Sequence, residues 1–175
     1  MRIETERLQL LPITEHYSQE IFREFSPEIT RYMFPAPPTR IEDTLQFIQD
    51  SIVGMAANRD LQLVIRRNSN QEFLGCCGLH ESESAGVGEL GIWVKKSAHG
   101  HGFGMEAIRG LNSWAQNNLR YHYLVYPVDR DNIPSRRIAE ALGGQVIEER
   151  TSMSLHGRVL NEVVYRIHRQ EERSH

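Results

Sequence analysis

Residues 90–107 read Leu90-Gly91-Ile92-Trp93-Val94, then Lys95-Lys96-Ser97-Ala98, then His99-Gly100-His101-Gly102-Phe103-Gly104-Met105-Glu106-Ala107. An apolar strand-like run feeds a glycine-rich loop, and the loop feeds a helix-like stretch at 104–119. Gly100, Gly102 and Gly104 remove the Cβ atoms that would block close approach, so several backbone N–H groups can converge there. The following helix adds its positive N-terminal end. This geometry fits a phosphate-bearing ligand. Three spaced glycines alone fit a solvent-exposed strand-to-helix turn equally well, so the flanking sequence has to decide.

Upstream, 61–66, 72–79 and 87–96 are apolar runs separated by Asn/Ser-rich and Ser/Gly-containing turns, which predicts a three-stranded antiparallel meander whose last strand enters the loop. Before it, 8–13 reads as a strand, and Thr14 is placed to cap a helix running to about Phe25. Ser26-Pro27 starts a further turn or short helix. After Pro35, Pro37 and Pro38, the residues Ile41, Leu45, Ile48, Ile52 and Met55 recur with helical spacing. Downstream, Ala107, Ile108, Leu111, Trp114, Ala115 and Leu119 form one apolar helix face, followed by a strand at 122–128. A third helix at 132–142 stops at Gly143-Gly144, and 145–153 with 158–167 reads as a hairpin across His156-Gly157. The layout is one domain over 1–170 with a charged tail at 171–175.

The 175 residues carry 20 Lys and Arg against 23 Asp and Glu, with 39% hydrophobic content. That balance excludes a general polyanion-coating protein, so no direct nucleic-acid partner is expected. Cys76 and Cys77 are sequence neighbours in an apolar run, unsuited to a disulfide framework or a spaced zinc set. The acidic opening lacks the apolar stretch of a signal peptide, and no run approaches the ~20 apolar residues of a membrane span. A cytoplasmic protein with no membrane partner is expected.

These residues resemble the GNAT superfamily of acyl-CoA-dependent N-acetyltransferases, whose Arg/Gln-x-x-Gly-x-Gly/Ala loop corresponds to His99, Gly102 and Gly104. More specifically they are similar to the ribosomal-protein (alanine/serine) N-acetyltransferase branch. That branch opens with Thr-Glu-Arg-Leu, here Thr5 to Leu8, and carries Glu-x-Gly, here Glu89 to Gly91. It also has Gly-x-Gly-x-x-x-Glu-Ala, here Gly100 to Ala107, and Asn-x-x-Ser with a Leu-Gly, here Asn132, Ser135, Leu142 and Gly143. The signatures run in the family's order over 5–143.

The resemblance implies an α/β (α+β) fold: a mixed, mainly antiparallel sheet splayed between its fourth and fifth strands, with helices on both faces. It implies acetyl-CoA as co-substrate, the pantetheine arm on the main chain of Ile92, Trp93 and Val94, and the pyrophosphate on His99, Gly100, His101, Gly102, Phe103 and Gly104, with Asn132 and Ser135 nearby. Lys95, Lys96, Arg136 and Arg137 form a basic cluster by sequence position. His99 departs from the family pattern by replacing a fixed charge with an imidazole that can donate to a neighbouring carbonyl or phosphate.

Direct attack of an amine on the thioester needs a base for the amine and an acid for the departing thiolate. The helix tyrosine that many GNAT enzymes use is replaced by Ala139, so the resemblance gives the acid role to Ser135; the hydroxyl could instead bond its own backbone. Glu89 is the base candidate. Strand alternation puts it with Gly91 and Trp93 on one face and Leu90, Ile92 and Val94 on the other. The expected acceptor is a primary amine, foremost a ribosomal or other protein N-terminus, with an aminoglycoside or polyamine as the alternative. The protein is expected to be a monomer or homodimer.

Three other readings compete. Gly102-x-Gly104-x-x-Ala107 with Asp129 downstream satisfies a dinucleotide-binding fingerprint, though Lys95 to His99 intervene before the first glycine. His99 and His101 form a His-x-His pair without a third ligand, which disfavours metal. A non-catalytic acyl-CoA-binding module on the same fold would explain the missing tyrosine. His80, His122 and His156 are read as structural or surface residues.

Overall fold

The computed structural model describes residues 1–170; the tail at 171–175 lies outside the described residues. Eight strands form one sheet: β1 (Ile3–Glu4), β2 (Leu8–Pro12), β3 (Asp60–Arg67), β4 (Phe73–Glu81), β5 (Val87–Val94), β6 (Tyr123–Asp129), β7 (Gln145–Met153) and β8 (Val159–His168). Their order across the sheet is β1-β2-β3-β4-β5-β6-β8-β7. Every neighbouring pair is antiparallel except β5 and β6, which run parallel. That exception follows from connectivity, because a helix, α4 (Phe103–Asn118), spans the crossover between them. The mainly antiparallel sheet removes the dinucleotide-fold reading.

The meander forms as its turn residues predict, but β5 stops at Val94 and a 3-10 turn, Lys96–Ala98, takes the chain into the loop. One face of the sheet carries the main core, where Leu8, Leu10, Leu63, Ile65 and Leu74 on strands meet Ala107, Ile108 and Leu111 of α4, each at 0% exposure. Burying such aliphatic side chains contributes about 1.5–3 kcal/mol each. α5 (Ile133–Ala141) packs on the same face through Ile138 and Ala139. The opposite face carries α1 (Ser18–Glu24), α2 (Pro27–Thr30) and α3 (Ile41–Ala56), whose core centres on Ile13, Tyr17, Ile21, Ile48, Val64, Phe73 and Cys76.

Two local expectations are corrected. Thr14 makes no side-chain cap; a 3-10 turn, Glu15–Tyr17, precedes α1, whereas Ser26 does cap α2 by accepting from the Ile29 N–H at 3.3 Å. In α3 the fully buried residues are Thr44, Ile48, Ser51 and Gly54; of the expected stripe Ile48 is buried, Ile41, Leu45 and Met55 are half-buried, and Ile52 is 36% exposed. The helix approaches β3 through its small residues: a Cβ on Gly54 would lie 2.2 Å from Asp60 Oδ2. Close approach selected residue size over hydropathy there. Among the described residues, no helix is long and apolar enough to cross a membrane.

Candidate active site

The parallel β5–β6 pairing ends at Glu89 and Val125. Beyond that point β6 continues to pair with β8 as far as Asp129, and β5 continues to pair with β4 as far as Val94, so the two central strands part. Lys95 N–H donates to the Leu74 carbonyl at 2.7 Å. Antiparallel alternation from that bond turns the main-chain groups of Trp93 toward β4 and those of Ile92 and Val94 toward the gap. The expectation of three consecutive residues offering main-chain groups therefore narrows to Ile92 and Val94. The Trp93 side chain lies on the other face against Phe25 and Phe73, with ring centroids 4.9 and 5.9 Å away.

The glycine loop closes one end of the gap. Gly100 and Gly102 have φ of 81° and 75°, a region L side chains rarely enter. A Cβ at Gly100 would meet nothing within 4 Å, and one at Gly102 only Arg7 Nη2 at 3.7 Å, so open space lies over both. Gly104 has a different task. Its Cβ would lie 3.2 Å from Ile138 Cδ1 and 3.6 Å from Ile92 Cδ1, so it lets α4 pack closely between α5 and β5. Gly102 is the N-cap of α4 and offers no side-chain cap, which leaves first-turn N–H groups facing the loop. This cradle fits the diphosphate of an acyl-CoA on its own geometry.

His99 fastens the loop to the strand. Its Nε2 donates to the Val94 carbonyl at 2.6 Å, so of its two expected partners the structure supplies the carbonyl. The anticipated basic cluster is dispersed: Lys95 Nζ lies 3.8 Å from Glu72, Lys96 Nζ 2.8 Å from Glu28, and Arg136 Nε donates to the Tyr165 hydroxyl at 3.0 Å. Arg7 and Arg67, which sequence position did not bring forward, stand at the loop instead. Their guanidinium carbons lie 4.5 and 4.9 Å from the Phe103 ring centroid, and Arg7 Nη1 donates to the His101 carbonyl at 3.0 Å. Only long-range contacts of the loop with the first turn of the chain and with the end of β3 could have revealed them.

On the α5 side, Ser135 Oγ lies 2.6 Å from the hydroxyl of the buried Tyr126. Ser135 therefore bonds across to β6 rather than to its own backbone. Asn132, the N-cap of α5, uses its main chain: its N–H donates to Asp129 and its carbonyl accepts from Arg136. Its side chain makes no cap bond. Ala139 is fully buried in the core. Asp129, the residue a dinucleotide reading would assign to a ribose, is 4% exposed, and its carboxylate accepts from the Asp131 and Asn161 N–H groups at 2.9 and 3.1 Å. It is committed to the chain.

On the opposite face Glu89 stands directly across from His80. Burial pushes the Glu89 carboxyl upward; Arg150 and His80 pull it back, and Glu162 adds to the rise. His80 is held by Asp60, with Nδ1 to Oδ1 at 3.0 Å. A Cβ on Gly78 would lie 2.7 Å from His80 Nε2, so the ring covers Gly78, the cross-strand partner of Gly91. A Cβ on Gly91 would meet nothing within 4 Å. Glu89 thus borders an open space floored by Gly91, with His80 at its wall. His122 lies against Gly86, and His156 Nε2 donates to the Met33 carbonyl at 3.2 Å. Among the described residues no three His, Cys, Asp or Glu side chains gather as a metal site. A cavity of about 360 Å³ lies at the other end of β5, lined by Asp60, His80, Val87, Trp114 and Tyr121 among others, away from the glycine loop.

Comparison with known proteins agrees with this geometry. No curated protein matches the chain. Among solved structures, a GNAT-family acetyltransferase from Bacillus anthracis superposes with a TM-score of 0.83 at 18% identity, covering 98% of this chain and 100% of that one. RimL, a ribosomal L7/L12 alpha-N-protein acetyltransferase in complex with coenzyme A, gives 0.82 at 15% identity over 95% and 97%. The microcin C7 self-immunity acetyltransferase MccE, in complex with acetyl-CoA and AMP, gives 0.81 at 18% identity over 93% and 92%. At these identities the likeness is one of fold. The model of the acetyltransferase (GNAT) domain matches residues 7–145, most of the chain and all of the loop, splay and α5 region described above; the chain belongs to the GNAT family of acetyltransferases.

Proposed function

We propose that this protein transfers the acetyl group of acetyl-CoA to a primary amine, foremost the α-amine of a peptide or protein N-terminus, by direct attack. The observation that carries the reading is the parting of β5 and β6, with Glu89 at its start on one face and Ser135 beside it on the other. Ile92 and the Val94 N–H offer main-chain groups to the pantetheine, an added-strand mode of recognition, while the Val94 carbonyl is taken by His99. The N–H groups of Gly100 to Gly104 hold the diphosphate, His99 fixes the loop that presents them, and Asn132, the N-cap of α5, joins Ser135 on the cofactor. Acetyl-CoA supplies the activated acetyl group. Glu89 takes the amine's proton and Ser135 gives one to sulfur.

The acceptor class follows from the cost of deprotonation. Holding a lysine neutral at pH 7 costs ~4.6 kcal/mol, whereas an α-amine of pKa ~7.7 to 8 costs only ~1 to 1.4 kcal/mol. A single carboxylate raised by burial is a base suited to the smaller task. No direct nucleic-acid or membrane contact enters this reading, and the expected state is a monomer or a homodimer.

The test is thiol release from acetyl-CoA against tetrapeptides with free N-terminal alanine or serine, aminoglycosides and polyamines, with mass detection of the acetylated product. Peptides turned over with the highest kcat/KM support the reading. Preference for polyamines or aminoglycosides would move the substrate class. Acetyl-CoA binding with no thiol release from any amine would make the chain a binding module.

A further inference from the structure

Tyr126 lies on β6 one residue past the last β5–β6 pair, at the point where the strands part, and is 2% exposed. Its hydroxyl stands 2.6 Å from Ser135 Oγ. Neither hydroxyl has another hydrogen-bond partner among the described residues. A buried phenol needs an acceptor for its proton, and Ser135 Oγ is the acceptor within reach. A serine hydroxyl can accept and donate at once, so this arrangement leaves the Ser135 proton free to turn into the gap.

We infer that Tyr126 is a positioning residue that donates to Ser135 Oγ, aims the serine proton into the splay and steadies the oxygen as that proton leaves. This rests on the reading of Ser135 as the acid. The step balances as follows. The amine nitrogen bonds to the acetyl carbon and gives its proton to Glu89; the carbon–sulfur bond breaks with its electron pair on sulfur; sulfur takes the Ser135 proton. The serine oxygen, held by Tyr126, then regains a proton from water, and Glu89 returns its own to solvent. Burial pushes the Tyr126 phenol up to about 12, against the pull of Ser135, so it stays a donor through the neutral range.

The first test uses the protein without acetyl-CoA. Ser135→Cys places a thiol at the oxygen's position, and its ionisation is read from the pH dependence of alkylation by iodoacetamide. Cys76 and Cys77 are each 1% exposed and burial raises both thiols, so they contribute little background. Adding Tyr126→Phe should raise the apparent pKa of the introduced thiol by about one unit, the loss of one donated hydrogen bond; no change overturns the proposal. Should Tyr126→Phe fail to fold, 3-fluorotyrosine placed at position 126 keeps the ring in place with a more acidic phenol: a lowered pKa of the introduced thiol supports donation, and no change overturns it.

The second test is a double-mutant cycle on thiol release, with an N-terminal alanine tetrapeptide and with water alone as acyl acceptor. Tyr126→Phe should lower kcat about tenfold in the Ser135 protein, with KM for acetyl-CoA unchanged, and cause no further loss in Ser135→Ala. Equal slowing in both backgrounds would separate the two residues and overturn the inference. A full rate in Ser135→Ala would remove the acid reading instead, a result the thiol titration distinguishes.

Discussion

Arg7 Nε donates to Glu106 Oε1 at 2.7 Å, and the Arg7 main-chain N–H donates to Oε2 of the same carboxylate at 2.8 Å. Thr5 completes the set by donating its hydroxyl to Glu106 Oε2. The turn between β1 and β2 is thereby tied to the first turn of α4, next to the loop that Arg7 also holds through the His101 carbonyl. Two short motifs almost a hundred residues apart are halves of one clamp. The carboxylate near the helix N-terminus also complements its dipole.

Arg7→Ala should destabilise the fold by about 1–2 kcal/mol, since two charge-assisted bonds are lost but the arginine side chain is partly solvated. For a chain of this length that is a fall in Tm of roughly 2–8 °C. Burial pulls Glu106 upward, yet the hydrogen bonds from Thr5 and Arg7 outweigh it and leave the carboxyl below its ordinary value. A lowered carboxylate stabilises above its unfolded pKa and loses that contribution as pH falls through the folded one. The Tm gap between wild type and Arg7→Ala should narrow at acidic pH, to the part owed to the His101 carbonyl and Phe103. A gap independent of pH would place the effect of Arg7 elsewhere, in its contact with Phe103.

This clamp also marks what the sequence could and could not reveal. The meander, α4, the closing hairpin and the loop were legible because turn residues and apolar periodicity act locally. Arg7, Arg67 and Tyr126 were not, because their roles depend on which distant elements the sheet order brings together. The basic residues near the loop in sequence misled for the same reason: Lys96 points to Glu28 and Arg136 to Tyr165. The period of helix α3 locates its buried side at Ile48, but not the share that Ser51 and Gly54 take in it at the expense of Ile52, because close approach to β3 favours small residues there. His80 gained its significance only through the β4–β5 register, which sets it opposite Glu89.

Acetyl-CoA at 100 times its Kd should stabilise the wild-type protein by ~2.7 kcal/mol, a Tm rise of roughly 5–11 °C, and NAD should not. In Gly102→Val that rise should vanish. The valine fills the open space over the loop and resists a φ of 75°, so the variant also melts lower, by the strain of a β-branched residue there, about 1–3 kcal/mol. The informative readout is the ligand-induced rise, taken within the variant itself. A rise equal to that of wild type would take the loop out of the cofactor site.

Glu89→Gln should slow turnover while raising thermal stability at neutral pH. Burial lifts the Glu89 carboxyl above its unfolded value, so the folded state prefers it protonated. Its charge costs stability as pH rises through the folded pKa. The neutral amide removes that cost. The same shift bears on the acidic limb of kcat at saturating amine, which reports the bound complex: a base must be ionised, so kcat should fall below a pH higher than the ordinary carboxylate range. A variant that gains stability but keeps the wild-type rate and limb would return the base role to another group, with His80 across the strand as the first to examine.

Gly91→Val should separate the two substrates. The glycine lies in the middle of β5, where a valine suits the strand and a Cβ meets no neighbour within 4 Å, so the fold should tolerate the change with Tm unchanged or slightly raised. The new methyl groups enter the space between Glu89 and His80, on the face opposite Ile92 and Val94. The acetyl-CoA-induced rise in Tm should therefore persist, while KM for the amine found by the acceptor screen increases about tenfold, the scale of steric loss expected for filling a pocket by two methyl groups. If acetyl-CoA binding fails and amine KM holds, the two faces have been assigned in reverse, and the acceptor enters from the α5 side beside Ser135.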